Sequence, residues 1–227
     1  IDVQNLKNSE AVFAEYFDNF PSKNIKLHQI PSIEDVIYEL IDKNIDKNFK
    51  IGDIHNQILA AELNYQAEKR SLSNTDQLSL EWAGTYKHYH SAMFRTIPIG
   101  KADPKHIKMH EACVEALTNC VNTLVPGKTA GEVFDAHAKT FDDLGFNKAR
   151  MNACGYSLGS TFSPNWMDWP MLYTGNPYKI VPGNVFFMHM ILMDSDNNLA
   201  MNLGETYLIT KNGNERLGKQ KLDLVFL

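Results

Sequence analysis

The sequence predicts an α+β fold in which helices pack on one face of a mostly antiparallel sheet, with a helix-helix-strand unit that occurs twice. Two observations carry this prediction. The hydrophobic periodicity alternates between helical and strand-like, and it does so in the order two helices, strands, two helices, strands. The 227 residues can bury a sizeable core, and no linker-like stretch divides them, so one large domain is favoured over two small ones.

The first half of the chain predicts two helices and a pair of strands. Apolar residues recur at helical spacing over residues 32–46, after a serine that can cap a helix, and a second helix is predicted over residues 53–68. A polar loop follows at residues 71–76. Residues 77–84 and 86–99 then predict paired strands that are rich in aromatic side chains.

The second half repeats this order. A long helix is predicted from Asp103 to the Pro126-Gly127 pair, and Thr129 with Glu132 predicts a capping box for the next helix. Strands are then predicted at residues 151–158, 184–193, 199–210 and 222–227, with a loop rich in Pro and Trp at residues 163–176. A β-turn at residues 194–198 is predicted to join two of these strands into a hairpin.

Composition excludes several classes of function. The formal charge of -5, with acids and bases interspersed, gives no basic face for nucleic acid or anionic lipid. The longest apolar run is far shorter than the roughly 20 residues that span a bilayer. Three cysteines make neither a disulfide framework nor a zinc pattern, which indicates a reducing cytoplasm. The sequence therefore predicts a cytoplasmic protein with no nucleic-acid or membrane partner.

Glu81 and residues 86–90 are the first candidates for chemistry. Strand alternation sends His88 and His90 to one face, and a break at Gly84-Thr85 lets a carboxylate on the neighbouring strand meet an imidazole. Such a pair within hydrogen-bond reach is the minimum for general acid-base catalysis. The alternative is that His88 is exposed and His90 is a hydrogen-bonded core residue.

Further candidates lie in the second half. Gly155 and Gly159 bracket a strand end, where glycine either lets the backbone approach a ligand or forms a simple turn. His189 stands in an apolar strand and Glu205 begins another. Buried ionisable groups are costly unless paired, so these two are expected to pair with each other or with Glu81. The alternative for His189 is a satisfied core histidine.

Aromatic and basic side chains could line a pocket. Trp166, Trp169 and Tyr173 can form an aromatic wall for a cationic or zwitterionic ligand, or they can simply pack. Arg95 suits an anion clamp and a structural salt bridge equally well. The residues alone leave these alternatives open.

Three runs of sequence between residues 80 and 215 form an ordered pattern. They comprise Leu80-Glu81-Trp82-Ala83-Gly84 with Tyr86-Lys87-His88-Tyr89-His90, Phe94-Arg95-Thr96 and Gly100; Gly155-Tyr156-Ser157-Leu158-Gly159 with Ser163-Pro164-Asn165-Trp166; and Val181-Pro182-Gly183-Asn184-Val185-Phe186 with Glu205-Thr206-Tyr207-Leu208-Ile209-Thr210. The pattern resembles the catalytic domain of the creatinase and aminopeptidase P superfamily, and the ectoine hydrolase and creatinase branch most closely.

The resemblance implies the pita-bread fold, in which duplicated helix-helix-strand units pack on a curved, mostly antiparallel sheet. It implies that residues 31–227 form this domain and that residues 1–30 are the tail of a linker or of an N-terminal domain, which helps to close the active site in full-length relatives. A homodimer and a small-molecule substrate are implied as well. The start at Ile1 is what we expect of a fragment or a processed product.

The resemblance also implies where metallopeptidase relatives hold two metals, with two Asp, one His and two Glu. The matching positions carry Ala92, Tyr156, His189 and Gly204 here, and Glu81 offers a carboxylate near the remaining one. A dinuclear site needs several converging oxygen or imidazole ligands, so a metallopeptidase is disfavoured and no metal or other cofactor is expected. The creatinase and ectoine hydrolase branches work without metal.

The resulting prediction is a metal-independent hydrolase that opens a C–N bond in a small zwitterionic compound similar to ectoine or creatine. Glu81 is predicted to act as nucleophile or general base, with His90 as its proton partner and Glu205 binding the substrate cation or orienting the base. The predicted substrate-binding residues are His88, Tyr89, Arg95, Tyr156, Trp166 and His189.

Two alternatives remain at this point. One is a pita-bread module that binds a ligand or partner without turnover. The other is an Xaa-Pro peptidase that uses a rearranged metal set of Glu81, His90, His189 and Glu205.

Overall fold

The computed structural model describes residues 74–101, 103–162 and 165–226. The helices predicted at residues 32–46 and 53–68 lie outside these ranges. The described elements are, in chain order, β1 (Gln77–Tyr86), β2 (Tyr89–Pro98), α1 (Pro104–Thr123), α2 (Ala130–Asp143), β3 (Gly155–Leu158), β4 (Met167–Met171), β5 (Val185–Asp194), β6 (Leu199–Thr210) and β7 (Gly213–Arg216). This order confirms the predicted α+β class.

Strands β1 and β2 form a hairpin whose turn lies later than the sequence suggested. Gly84 and Thr85 are paired within β1, and the turn is formed by Lys87 and His88. Both turn residues have positive φ, 48° and 71°, as a two-residue type I′ turn requires. The prediction that His88 and His90 alternate along one strand was therefore wrong, because no Gly or Asn marks the real turn.

Both described helices begin where the sequence predicts. The Asp103 side chain accepts a hydrogen bond from the backbone N–H of Lys105, and Pro104 occupies the first turn, where its missing N–H costs nothing. Thr129 and Glu132 form the predicted capping box at α2. Among the described residues, no helix combines the length and apolar character that a bilayer-spanning helix needs.

The seven described strands form one antiparallel sheet. Its order is β1-β2-β6-β5-β3-β4, and β7 adds to β6. The hairpin of β5 and β6 has the turn predicted at residues 194–198. Strand β4 lies where the sequence predicted a loop, and β7 was missed. Residues 222–226 form no strand, in contrast to the prediction.

The two faces of the sheet have different partners. One face packs on α1 and α2 through the main core, which includes Met109, Leu117, Phe141, Met188 and Leu203. We call this the helix face. The opposite face, called the site face, bears the side chains of Glu81, Phe94, Phe187 and His189, and an added Cβ at Gly204 would point to it. Cross-strand partners share a face, so the register fixes which residues can meet.

Candidate active site

Four positions form one row across the site face. The register pairs Glu81 with Phe94, Phe94 with Gly204, and Gly204 with His189, which links strands β1, β2, β6 and β5. Tyr156 on β3 pairs with Phe187, two residues before His189, and so shares that face. The sheet thus brings Glu81, Tyr156 and His189 onto one surface, although they are 108 residues apart at the extremes.

Tyr156 reaches across the sheet to Glu81. Its hydroxyl donates a hydrogen bond to Glu81 Oε1 at 3.1 Å. Strands β1 and β3 are separated by four inter-strand spacings, which in a flat sheet would amount to about 19 Å. The side chains can meet only because the sheet curves toward this face, so the curvature itself assembles the site.

Trp166 completes a chain of hydrogen bonds that ends at the carboxylate. The Trp166 indole N–H donates to the Tyr156 hydroxyl oxygen at 2.9 Å, and the indole is almost completely buried. The Tyr156 hydroxyl is therefore acceptor to Trp166 and donor to Glu81, which fixes the direction of both bonds. This arrangement holds the Glu81 carboxylate in a defined position.

These residues line a cavity of about 280 Å³. Its lining consists of Glu81, Met151, Ala153, Tyr156, Asn165, Trp166, Met167, Met171, His189 and Ile191. The volume is close to the lower end of the range for small-molecule sites, roughly 300 Å³. Three of the predicted substrate-binding residues, Tyr156, Trp166 and His189, are thus brought together with the predicted catalytic Glu81.

His189 is the imidazole of this cavity. It is buried, its ring lies 5.4 Å from the Tyr156 ring and 5.9 Å from the Phe187 ring, and its Nδ1 has no hydrogen-bond partner among the described residues. Burial lowers its pKa from 6.5 to about 4. His189 is therefore neutral at physiological pH and able to donate or accept one hydrogen bond.

The residues at the positions that the resemblance matches to metal ligands were tested against the structure. An added Cβ at Gly204 would lie 2.5 Å from Cζ of Phe187 and 2.8 Å from the Cβ of Phe94. The Phe187 ring thus fills the space that a carboxylate at position 204 would need. Ala92 offers no donor, and among the described residues no three His, Cys, Asp or Glu side chains cluster as a metal site. These residues do not fit a dinuclear metal centre.

Glu205 lies on the other side of the sheet from Glu81. It forms a buried ion pair with Arg95 on the helix face, and Arg95 also donates to the carbonyl oxygens of Phe94 and Gly204, each at 2.9 Å. His189 and Glu205 do lie on adjacent strands, but the register pairs His189 with Gly204, so they face opposite ways. The expected pairing of His189 with Glu205 was therefore wrong. Of the two roles considered for Arg95, the structure shows the structural salt bridge.

The remaining predicted residues lie at the hairpin end of the sheet. His90 faces the site side but pairs with Thr85, four residues along β1 from Glu81, which corresponds to about 13 Å. It is buried against Phe162 with its ring 4.5 Å away, and burial lowers its pKa to about 4. His88 is exposed in the turn, and the partly buried Tyr89 packs against the apolar cluster that contains Ala92 and Phe94. The structure does not bring these residues into the cavity.

The sequence reasoning missed several residues of the site. Alternation along β5 puts Phe187 on the face of His189, and this signal could have identified it. Met167 and Met171 were missed because β4 was predicted as a loop. The glycine pair has a structural explanation at one end: a Cβ at Gly155 would lie 2.5 Å from the carbonyl oxygen of Phe187. Gly159 has no close neighbour.

Comparisons with known proteins identify relatives of this chain. The chain is 30% identical over 138 residues to an ectoine hydrolase of Halomonas elongata, which covers 60% of this chain and 34% of that protein. It is 24% identical over 159 residues to an Xaa-Pro dipeptidase of Pyrococcus horikoshii, covering 70% of this chain and 44% of that protein. It therefore spans less than half the length of either.

Solved structures show the same fold. The dipeptidase PepE of Mycobacterium ulcerans superimposes with a TM-score of 0.82 over 99% of this chain and 60% of its own, at 19% identity. This likeness confirms the pita-bread fold that the sequence motifs imply. A model of the metallopeptidase family M24 matches residues 14–211. With the fold, the motif order and this match in agreement, the chain belongs to the metallopeptidase family M24.

Proposed function

We propose that this chain is the catalytic domain of a metal-independent hydrolase that cleaves a C–N bond in a small compound with a cationic amidine or guanidino group. The observation that carries the proposal is the chain of hydrogen bonds from Trp166 through Tyr156 to Glu81 in a cavity whose described lining holds no other carboxylate. The similarity to an ectoine hydrolase supports the reaction class.

Glu81 is the general base of the proposed reaction. It takes a proton from a water molecule, and the water oxygen forms a bond to the carbon of the scissile C–N bond. The protonated Glu81 then passes that proton to the leaving nitrogen as the C–N bond breaks, so no other proton donor is needed. Tyr156 holds the carboxylate during both transfers, and the neutral His189 can hydrogen-bond the substrate or the water.

This assignment differs from the roles expected from the sequence. His189 takes the place of His90 as the imidazole near the base, because His90 lies about 13 Å along the sheet from Glu81. Glu205 is not assigned a catalytic role, because it forms its ion pair with Arg95 on the helix face. The alternative of an Xaa-Pro peptidase with a rearranged metal set required both His90 and Glu205 beside Glu81. It loses support because neither residue lies in the cavity.

The test is product formation, followed by NMR, with purified protein that contains the whole chain. Ectoine, creatine and an Xaa-Pro dipeptide are each incubated with and without EDTA. Cleavage of ectoine or creatine that EDTA does not affect, and that Glu81→Gln abolishes, supports the proposal. Glu115→Gln removes an exposed carboxylate on α1 and serves as the matched control.

Two outcomes would point elsewhere. If the Xaa-Pro dipeptide is cleaved and EDTA abolishes that cleavage, the proposed metal independence is contradicted. If none of the three compounds is cleaved and one of them binds saturably, the result favours a binding module without turnover.

A further inference from the structure

Strand β6 changes its neighbour at Thr206. One edge of β6 is occupied by β5 over residues 199–208, so β2 and β7 share the other edge. Strand β2 pairs with this edge at two positions, and the one nearer to Thr206 is Phe94 with Gly204. Two residues later, the carbonyl oxygen of Thr206 accepts a hydrogen bond from the N–H of Leu217, which directly follows β7. Strand β2 therefore leaves β6 at Thr206, where β7 takes its place.

The free edge of β2 passes from β6 to the end of β3. Alternate residues of a strand point their backbone groups to the same edge, so His90, Ala92 and Phe94 share the edge that faces away from β1. Phe94 pairs with β6, whereas the N–H of His90 donates to the carbonyl oxygen of Gly159, directly after β3, at 2.8 Å. Gly159 lies three residues after Tyr156. This path carries the β1–β2 hairpin across to the strand of Tyr156.

Ala92 lies between these two contacts, at the point where β2 and β6 diverge. The register places it opposite Thr206. Its N–H donates to Thr206 Oγ1 at 2.9 Å, and its carbonyl oxygen accepts from the same hydroxyl at 2.7 Å. One hydroxyl, acting as acceptor and donor, thus replaces both hydrogen bonds of a backbone ladder. Both residues are buried, so the backbone groups of Ala92 could not turn to water instead.

The Thr206–Ala92 contact connects the two parts of the sheet that form the cavity. Thr206 pairs with Phe187 on β5, and Phe187 pairs with Tyr156 on β3. Ala92 belongs to the hairpin whose other strand carries Glu81. A shift of Ala92 relative to Thr206 is therefore expected to change the distance between the Glu81 carboxylate and the Tyr156 hydroxyl, which is 3.1 Å.

We propose that Thr206 is a positioning residue of the candidate active site: its hydroxyl fixes where β2 leaves β6 and thereby places Glu81 within hydrogen-bond distance of Tyr156. The inference rests on the proposed function only for the role of Glu81 as general base, and the contacts themselves require no substrate. Valine has nearly the shape of threonine but would leave the N–H and C=O of Ala92 without partners, so β2 is expected to shift in Thr206→Val. Thr206→Ser keeps the hydroxyl.

Proton–nitrogen correlation NMR on protein that contains the whole chain tests the proposal without a substrate. The indole N–H of Trp166, assigned with Trp166→Phe, donates to the Tyr156 hydroxyl at 2.9 Å and so reports on the chain of hydrogen bonds. Tyr156→Phe gives the position of this signal when the acceptor is absent. Thr206→Val is expected to move the signal at least half as far as Tyr156→Phe does, whereas Thr206→Ser leaves it near its original position.

Thr140→Val is the matched control. Thr140 is a buried threonine on α2 whose hydroxyl likewise donates and accepts, to the carbonyl oxygen of Ala136 at 2.8 Å and from Asn119 at 3.0 Å. Its replacement removes two comparable hydrogen bonds away from the cavity. The Trp166 signal should therefore stay in place in this variant.

A displacement in Thr206→Val no larger than in Thr140→Val would overturn the proposal. An undiminished displacement when Thr206→Val is combined with Glu81→Ala would do so too, because Thr206 would then act on Trp166 without Glu81. Rapid hydrogen exchange of the Ala92 N–H in the unmodified protein would also overturn it, and this measurement needs no variant that folds.

The outcome is separable from that of the proposed function. A displaced Trp166 signal in Thr206→Val, together with no hydrolysis of any compound, would keep this inference and remove the proposed function. Hydrolysis that Glu81→Gln abolishes, together with an unmoved Trp166 signal in Thr206→Val, would do the reverse.

Discussion

A side chain at position 204 would collide with the Phe187 ring, so the packing around this position requires glycine. The space above Gly204 is occupied by Cζ and Cε2 of Phe187, and Phe94 lies on its other side. Gly204 and the Phe187 ring therefore depend on each other, because a larger residue at 204 would clash and a smaller one at 187 would leave a void.

Gly204→Ala is expected to lower the free energy of unfolding by about 1–3 kcal/mol, the usual cost of overpacking a core. Phe187→Leu, which shortens the ring that collides, should recover part of that loss in the double variant. Urea denaturation of both single variants and the double variant measures the coupling. Gly159→Ala has open space around it and should change stability little. Strict additivity of the two substitutions would show that the contact is absent.

Glu205 is a structural residue, and its substitution should affect stability more than any reaction. Glu205→Gln leaves the buried Arg95 guanidinium without its counter-charge, which typically costs about 3–5 kcal/mol. Replacing both partners with apolar side chains, Arg95→Met with Glu205→Leu, should cost much less than the single change. Thermal and urea unfolding measure both. A Glu205→Gln variant as stable as the unmodified protein would argue against this ion pair.

The β1–β2 hairpin is the element whose turn the sequence conceals. Lys87 and His88 both adopt positive φ, which costs energy for residues with a side chain. The Asn-Gly pair favours a type I′ turn, so Lys87→Asn combined with His88→Gly should raise the free energy of unfolding by about 0.5–1 kcal/mol.

Urea unfolding of this double variant is the measurement, and a variant with the order reversed, Lys87→Gly and His88→Asn, is the control for composition. Destabilisation by the Asn-Gly pair would mean that the turn has another geometry. An activity that survives the loss of His88 would also agree with the position of this residue outside the cavity.

The molecule as a whole buries neutral histidines, and this makes its stability dependent on pH. Burial lowers the pKa of His90 and His189 to about 4 and that of His137 to about 3, from 6.5. His137 lies between Phe134 and Phe141, and neither of its ring nitrogens has a hydrogen-bond partner among the described residues. Below pH 6.5 the unfolded chain binds protons that the folded protein excludes.

Stability is therefore expected to be complete above about pH 6.5 and to fall as the pH decreases toward 4. Thermal denaturation at intervals between pH 7.5 and 4.5 measures this decline. His137→Leu removes one titrating group from an apolar environment, so its stability should fall less steeply over the same range. The same slope for the variant and the unmodified protein would show that His137 is not buried as a neutral imidazole.

The sequence alone determined the parts of this protein that depend on local patterns. Periodicity and capping residues gave the two described helices, alternation gave strand β6 over its full length, and ordered motifs gave the family and identified Glu81, Tyr156, Trp166 and His189. These signals can be recognised in a short stretch of sequence, because helix propensity and capping act between residues within one or two turns of each other.

The tertiary structure decided which of the candidate residues meet. Glu205 and His189 are neighbours in register yet lie on opposite faces, while Tyr156 reaches Glu81 across four strand spacings because the sheet curves. The packing around Gly204 likewise combines Phe187 of the adjacent strand with Phe94 of β2, which lies 110 residues earlier in the chain. Strand register and sheet curvature arise from packing over the whole molecule, so no local pattern in the sequence contains them.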